Sequence, residues 1–125
     1  MFAGSLVALV TPMQPDGSID FNAWNRLVEF QLANGTAGIV VAGSTGESAT
    51  VTDAELRDML LAARKIIGKR ALLIANTGTN GTATSVDRAR DFSALDVDAL
   101  LVSSPSYVRP TQEGLFLHFS AVADA

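Results

Sequence analysis

Four short runs of apolar, strand-favouring residues recur along the chain at nearly regular intervals, and this recurrence constrains the fold most strongly. The runs are Leu6–Val10, Ile39–Ala42, Ala71–Ala75 and Ala99–Val102. Their starts lie about 33, 32 and 28 residues apart. Each run is nearly continuous rather than alternating, which is typical of strands buried on both faces of a parallel sheet. The sequence therefore predicts four parallel strands.

Helical patterns fill the intervals between these runs. The first helix is predicted to begin after the N-cap Asp20 and to end before Gly35. The second begins in a capping box formed by Thr52 and Glu55 and ends at Gly68. Two further patterns span about 82–95, with Asp96 at the stop in a left-handed conformation, and 112–125. The predicted order is therefore βα repeated four times.

Repeated βα units leave two architectures open at this point: an open doubly wound sheet or half of a β/α barrel. Right-handed crossovers are expected in both, so handedness does not distinguish them. The chain has 125 residues, whereas a complete eightfold barrel needs about 250. In either architecture the functional loops follow the carboxyl ends of the strands.

Composition excludes several classes of function. The chain has no Cys, so disulfides, Cys-ligated zinc and iron–sulfur clusters are excluded. One His argues against a histidine metal cluster, and 9 Lys+Arg against 13 Asp+Glu argue against a nucleic-acid surface. No segment has the pattern of a signal peptide or a membrane span, so a cytoplasmic protein is expected. The high mean hydropathy of +0.28 predicts apolar surface that needs covering.

The loop after the second strand, Gly43–Ser48, has the sharpest chemical pattern. Gly43 and Gly46 allow close approach of the backbone to a ligand, while Ser44 and Thr45 add hydroxyl groups, a combination that suits a carboxylate or phosphate. An ordinary tight turn is the alternative. Glu47 is interpreted as holding the loop backbone rather than as a base.

Tyr107 and His118, which lie outside that loop, are predicted to have structural rather than catalytic roles. Tyr107 follows the fourth strand and is interpreted, from the residues alone, as a rim or subunit-contact aromatic. His118 lies among apolar residues of the last helix and is expected to be packed rather than a ligand. No metal site and no cofactor are predicted.

The strand-end loops resemble those of the dihydrodipicolinate synthase family of pyruvate-dependent lyases, in register along the whole chain. The motifs that carry the resemblance are Gly4-Ser5, Val10–Met13, Gly43–Thr50, Thr77–Asn80, Tyr107–Gly114 and His118-Phe119. The resemblance implies the first four βα units of a (β/α)₈ barrel, with residues 1–125 as the N-terminal half of one domain that is truncated at its C-terminus. It also implies condensation of pyruvate with aspartate semialdehyde in lysine and diaminopimelate synthesis.

The resemblance assigns roles to individual residues. Thr45 matches the residue that binds the pyruvate carboxylate, and Ser44 shares that anion site and a hydroxyl proton relay. Gly43, Gly46 and Glu47 support the loop. Tyr107 matches the relay tyrosine that a neighbouring subunit contributes in a homodimer or homotetramer.

Several positions depart from the family pattern. Ser44 stands where the relay threonine is usual, and Ser106 replaces a tyrosine. Lysine-inhibited members bind the inhibitor partly through that tyrosine, a histidine at position 56 and a glutamate at position 84. This chain has Leu56 and Thr84 there, while Ser48, Ala49 and Asn80 match as a remnant of the regulatory site. We therefore expect weak or absent feedback by lysine.

The Schiff-base lysine of the family has no counterpart in this chain. The only lysines are Lys65 and Lys69, near the end of the second helix and away from any strand end. A Schiff-base mechanism needs an amine in the pocket, so the 125-residue chain is expected to be inactive. Two alternatives stay open: N-acetylneuraminate lyase or a 2-keto-3-deoxy sugar acid aldolase, and a non-catalytic half-barrel that binds carboxylates or assembles with a second copy.

Overall fold

The computed structural model describes residues 2–125 and confirms the predicted alternation of strands and helices. The elements are β1 (Leu6–Ala8), α1 (Phe21–Ala33), β2 (Gly38–Val41), α2 (Asp53–Ile67), β3 (Leu72–Asn76), α3 (Thr82–Ser93), β4 (Ala99–Leu101) and α4 (Gln112–Ala123). A 3₁₀ turn at Ser44–Gly46 lies between β2 and α2. No helix among the described residues is both long and apolar enough to cross a membrane.

The ends of the strands differ from the sequence-based prediction by one or two residues. β1 ends at Ala8 rather than Val10, although the Leu9 amide still donates to the Val40 carbonyl at 3.2 Å. β2 ends at Val41 because Ala42 takes a positive φ of 49°, which no extended strand accommodates. The third and fourth helices stop two residues earlier than predicted, at Ser93 and Ala123.

The helix termini are formed by the predicted capping residues. The Asp20 carboxylate accepts from the Ala23 amide at 2.9 Å at the start of α1. Thr52 and Glu55 form the reciprocal capping box at the start of α2. Asp96 adopts the predicted left-handed conformation, with φ of 55°. These local signals confirm the predicted starts of the first two helices and the left-handed Asp96.

The four strands form one parallel sheet in the order β1-β2-β3-β4. Each strand lies beside its sequence neighbours, which is the arrangement of a barrel segment rather than of a doubly wound sheet. The structure therefore confirms the first four βα units of a β/α barrel. Because all strands are parallel, the loops that follow them meet at one edge of the sheet, the carboxyl edge.

The two faces of the sheet have different surroundings. The face packed on the helices, called the covered face, consists of Val7, Ile39, Val41, Leu73, Ala75 and Leu100. Ile39, Val41 and Leu73 are fully buried there, against core residues that include Trp24 of α1 and Leu60 of α2.

The opposite face, called the open face, consists of Leu6, Ala8, Val40, Leu72, Ile74, Ala99 and Leu101, together with Gly38 and Asn76. Leu6 and Leu101 are each 42% exposed on its two outer strands. The prediction of strands buried on both faces is therefore wrong for β1 and β4 within the described residues. An apolar run indicates only that a strand can be buried on both faces. Whether each face is buried depends on the elements that pack against it.

Asp98 stabilises the amino edge of the sheet, which lies opposite the carboxyl edge. Its Oδ2 accepts from the Leu73 amide at 2.8 Å and from Nη2 of Arg64 at 2.5 Å. Burial raises the pKa of the Asp98 carboxyl, but the Leu73 hydrogen bond and the Arg64 guanidinium outweigh burial, so its pKa is below its usual value. The basic end of α2 therefore serves to attach α2 to the start of β3.

Candidate functional site

A cavity of about 520 Å³ lies at the carboxyl edge of the sheet. Its walls come from the loops after β2, β3 and β4 and from the first two turns of α3. Most of its lining is polar but uncharged, with serine and threonine hydroxyls predominating. The strand-end loops that the sequence indicated as functional are therefore brought together in three dimensions.

The loop after β2 is a 3₁₀ turn anchored on the end of β1. The Thr11 hydroxyl donates to the Gly46 carbonyl at 2.7 Å in a buried hydrogen bond. Gly46 itself has no room for a side chain, because a Cβ there would lie 2.8 Å from the Leu9 carbonyl oxygen. The turn is closed by the Gly46 amide, which donates to Gly43 at 3.0 Å, and Glu47 leaves it in the left-handed conformation.

The backbone amides of this turn divide into two groups. Those of Gly46, Glu47 and Ser48 donate to carbonyl groups inside the turn. The amides of Ser44 and Thr45 donate to no acceptor among residues 2–125, and the side chains of both residues are exposed. Two adjacent donors without internal partners, next to two hydroxyls, form a site to which a small carboxylate can bind.

The loop after β3 is held against the loop after β4. The Thr77 amide donates to the Leu101 carbonyl at 3.0 Å. A Cβ on Gly78 would lie 2.4 Å from the Ser103 amide nitrogen, so only glycine permits this approach. Thr79 and the fully buried Ser85 then hydrogen-bond to each other at 2.9 Å across the start of α3. These contacts fix one wall of the cavity.

Tyr107 extends away from the cavity. It is 96% exposed and has a φ of 70°. The Val108 amide donates to the Ser106 carbonyl at 2.8 Å and closes a tight turn around it. A large aromatic in a left-handed backbone conformation costs about 1–3 kcal/mol. The loop therefore presents the phenol outward rather than toward this chain's own cavity.

The predicted site residues fall into two groups. Ser44, Ser48, Ala49 and Asn80 line the cavity, together with the departures Thr84 and Ser106. The others do not line it: Gly43, Thr45, Gly46, Glu47 and Tyr107.

The two lysines lie at the C-terminal end of α2, and neither of them lines the cavity. Lys69 follows α2 and pairs with Asp96 at 3.4 Å, and Lys65 borders a shallow groove between α1 and α2. Among residues 2–125 no lysine lines the cavity and no cluster of three or more metal-ligating side chains occurs.

His118 is packed, as the sequence predicted. It is 2% exposed, and its Nδ1 lies 2.9 Å from the Thr82 hydroxyl at the start of α3. Its ring also meets Phe119 edge to face, with centroids 5.4 Å apart. The contact joins α4 to α3 behind the cavity.

Sequence reasoning missed Arg88, the one charged residue that lines the cavity within the described chain. Its position four residues after Thr84 on α3 was the available signal, because residues at this spacing share a helix face. The pattern could not show that this face meets the loops after β2 and β4.

Comparison with known proteins places these features in a family. The Dihydrodipicolinate synthetase family model matches residues 1–125. A 4-hydroxy-tetrahydrodipicolinate synthase of Stenotrophomonas maltophilia strain R551-3 is 48% identical over 122 residues, which are 98% of this chain and 41% of the relative. The chain thus spans less than half the length of that relative.

Comparison with solved structures gives the same family as the sequence comparison. A chloride-inhibited dihydrodipicolinate synthase of Acinetobacter baumannii, complexed with pyruvate, matches with a TM-score of 0.97 and 38% identity over 100% of this chain and 43% of that chain. A lysine-bound enzyme of Cyanidioschyzon merolae matches with a TM-score of 0.94 and 33% identity over 98% and 42%. On both sequence and structure, the chain belongs to the dihydrodipicolinate synthetase family.

Proposed function

We propose that the chain supplies the pyruvate-binding half of a 4-hydroxy-tetrahydrodipicolinate synthase. The observation that carries this proposal is the pair of amides at Ser44 and Thr45, which have no internal acceptor and stand beside two hydroxyls. The pyruvate complex of the Acinetobacter baumannii relative supports the choice of ligand. In this assignment the two amides and the Thr45 hydroxyl bind the pyruvate carboxylate.

The reaction then joins pyruvate to aspartate semialdehyde through a Schiff base, in lysine and diaminopimelate biosynthesis. The amine must come from a segment outside the 125 residues, because neither lysine here lies near the cavity. The barrel is completed by that segment, and residues 1–125 form its N-terminal half. The enzyme works in the cytoplasm without a cofactor.

Proton transfer is assigned to Ser44 and Tyr107. The Ser44 hydroxyl accepts and donates protons at the carboxyl edge, as the usual threonine would. Tyr107 is 96% exposed on its own chain, which supports its use by a neighbouring subunit of a homodimer or homotetramer. Its outward presentation then serves a partner's cavity.

One observation favours a second candidate. Ser44 is typical of N-acetylneuraminate lyase, a sister enzyme that also binds pyruvate. The Arg109-to-Gly114 run favours the synthase, and the second substrate distinguishes the two.

Borohydride trapping with pyruvate, read by mass spectrometry, tests the assignment of the amine. We expect no adduct on the 125-residue chain and one adduct on a chain extended to the full length of the relatives. An adduct on the shorter chain would overturn the proposal that its own lysines are inert. The absence of an adduct on the extended chain would favour a non-catalytic protein that binds carboxylates.

Substitution at position 45 tests the carboxylate site. Thr45→Val removes the hydroxyl at constant shape and should weaken pyruvate binding roughly tenfold, the size of one charge-assisted hydrogen bond. Thr45→Ser keeps the hydroxyl and should bind within about threefold of the unchanged protein. Calorimetric titration with pyruvate measures both, and equal affinities for all three proteins would contradict the assignment.

Feedback by lysine is proposed to be weak or absent. Leu56, Thr84 and Ser106 replace the side chains that inhibited members use, although Ser48, Ala49 and Asn80 still line the cavity. Calorimetry on the assembled enzyme checks this directly, and tight lysine binding would contradict it.

A further inference from the structure

Among residues 2–125, the open face of the sheet carries one side chain that can form hydrogen bonds, that of Asn76. Asn76 is the last residue of β3 and pairs in register with Leu101 of β4. The other side chains of this face are aliphatic. In β/α barrels the functional groups come from the carboxyl ends of several strands. Asn76 therefore occupies the level of the open face at which a barrel enzyme binds its substrate.

The Asn76 carboxamide has no hydrogen-bond partner among residues 2–125, although the residue is only 3% exposed. The described side-chain atoms that are completely enclosed without a hydrogen bond are Arg64 Nε, Thr77 Oγ1 and His118 Nε2. The Asn76 atoms are not among them, so its carboxamide still borders open space. A carboxamide has two N–H donors and an acceptor oxygen, and leaving these groups unpaired in a buried position is unfavourable. A polar ligand that reaches this space would remove that cost.

The turn after β2 extends over the same end of the open face. A Cβ on Gly43 would lie 3.6 Å from Cγ1 of Val40 and 4.0 Å from Cδ2 of Leu101. Val40 and Leu101 belong to β2 and β4, the strands on either side of β3. Gly43 therefore lies over the carboxyl end of β3, on the face to which Asn76 belongs. The next residue is Ser44, whose amide donates to no acceptor among residues 2–125.

We propose that Asn76 is a further substrate-binding residue, whose Nδ2 donates a hydrogen bond to the 2-oxo oxygen of a small 2-oxo acid. This inference rests on the proposed function, in which the amides of Ser44 and Thr45 bind the carboxylate of that acid. The 2-oxo oxygen lies on the carbon next to the carboxylate and needs a donor of its own. An acid without an acceptor at this carbon leaves the carboxamide unpaired, and a site of this kind discriminates against such an acid.

Calorimetric titration with oxamate and propionate tests the proposal on the chain extended to the full length of the relatives. Oxamate has the planar shape of pyruvate and a carbonyl beside its carboxylate, but it does not condense with an amine. Propionate has the carboxylate without that carbonyl. Asn76→Leu should weaken oxamate binding about tenfold, the size of one hydrogen bond, and should change propionate binding by less than about twofold. Asn76→Ala should give the same result and provides the test if the leucine variant does not fold.

Two control variants accompany the titrations. Leu72→Ala lies on the same strand and face, at the other end of β3, and should leave the ratio of the oxamate and propionate affinities unchanged. Thr45→Val should weaken both ligands, because both have the carboxylate. Urea denaturation of Asn76→Leu adds a readout of stability. We expect an unchanged or higher midpoint, since an apolar group of similar size replaces an unpaired carboxamide.

Three results would overturn the proposal. The first is unchanged oxamate affinity in the Asn76 variants while Thr45→Val weakens both ligands, a result that leaves the carboxylate site intact. The second is equal weakening of oxamate and propionate in the Asn76 variants, which would mean that they disturb the pocket as a whole. The third is a lower urea midpoint of Asn76→Leu with retained oxamate binding, which would assign the carboxamide to the fold. If Thr45→Val changes neither affinity, the proposed carboxylate site fails, and this inference fails with it.

Discussion

The covered and open faces of the sheet are built from the same aliphatic residue types, yet they meet opposite surroundings. Ile39 and Leu73 on the covered face are fully buried under α1 and α2, whereas Leu6 and Leu101 on the open face are each 42% exposed. In a β/α barrel the second set lies inside the closed barrel. The difference shows that helix packing buries one face, whereas among residues 2–125 nothing fully covers the outer strands of the other face.

The largest expected change in stability comes from substituting two neighbouring leucines of β3 whose side chains lie on opposite faces of the sheet. Leu73→Ala should cost about 2–5 kcal/mol of unfolding free energy, because it leaves a cavity in the core. Leu72→Ala should cost about 1–2 kcal/mol, because Leu72 on the open face keeps partial access to water. Urea denaturation measures both, and equal losses would mean that the open face is as well packed as the covered face.

The carboxyl edge offers the next test. Gly78→Ala should destabilise the protein by about 1–3 kcal/mol, because the new Cβ would overlap the Ser103 backbone. The matched control is Gly81→Ala, where a Cβ would meet only the Thr84 hydroxyl at 3.6 Å and no positive φ is involved. Because Gly81 is the N-cap of α3, the control should change stability by less than about 1 kcal/mol. A thermal melt that shifts equally in both variants would show that the loop after β3 adjusts freely.

Self-association tests the open face itself. The isolated 125-residue chain should associate or be poorly soluble, because its edge strands and open face expose apolar groups. Leu101→Lys on the open face should lower the association constant at least about tenfold, or about 1.4 kcal/mol. Leu61→Lys, at a 48% exposed position of α2 away from the sheet, serves as the control.

Sedimentation velocity distinguishes the two variants of that test. The open face is the associating surface if Leu101→Lys alone reduces the assembly. A monodisperse monomer of the unchanged chain would contradict the prediction, and so would an equal effect of Leu61→Lys.

The amino edge should give the smallest effect. Asp98→Asn should cost about 1 kcal/mol near neutral pH, since the carboxylate accepts from Leu73 and Arg64 while remaining partly exposed to water. The pKa of the folded Asp98 is below the ordinary value of an aspartate, because the Leu73 amide and the Arg64 guanidinium outweigh the effect of burial. Its stabilisation is therefore present above that value and is lost as the pH falls through the lower folded pKa.

Asp96→Asn is the control for that variant, because Asp96 is 68% exposed and asparagine also tolerates its left-handed conformation. Denaturation at pH 7 and at pH 2 should show a difference between the Asp98 and Asp96 variants that shrinks in acid. A difference that persists at pH 2 would show that Asp98 acts through shape rather than charge.

Local features of the fold were predictable because their causes lie within a few residues. Asp20, the Thr52–Glu55 capping box and the left-handed Asp96 all appear where the sequence indicates them. The exact strand ends were not predictable. They depend on the backbone conformation that follows each strand, as the positive φ of Ala42 after β2 illustrates.

The candidate site was predictable only in part. The hydroxyl-rich loops and their meeting at one edge followed from the parallel strand pattern. Which amides of the turn after β2 remain free, and the role of Thr11 in holding that turn, required the hydrogen bonds between β1 and the turn. The left-handed backbone of Tyr107 carried no sequence signal, whereas a rim or subunit-contact position was inferred from the residues alone.

The sequence by itself determined the order of the elements, the helix starts and the chemistry of the loops, since periodicity and capping act between near neighbours. The tertiary structure alone decided which face of the sheet is covered and where charge enters the cavity. The Arg88–Asp53 pair joins residues 35 positions apart, and the Gly78–Ser103 approach joins two different loops. Such contacts form only when the crossovers bring successive strands side by side, which no local pattern encodes.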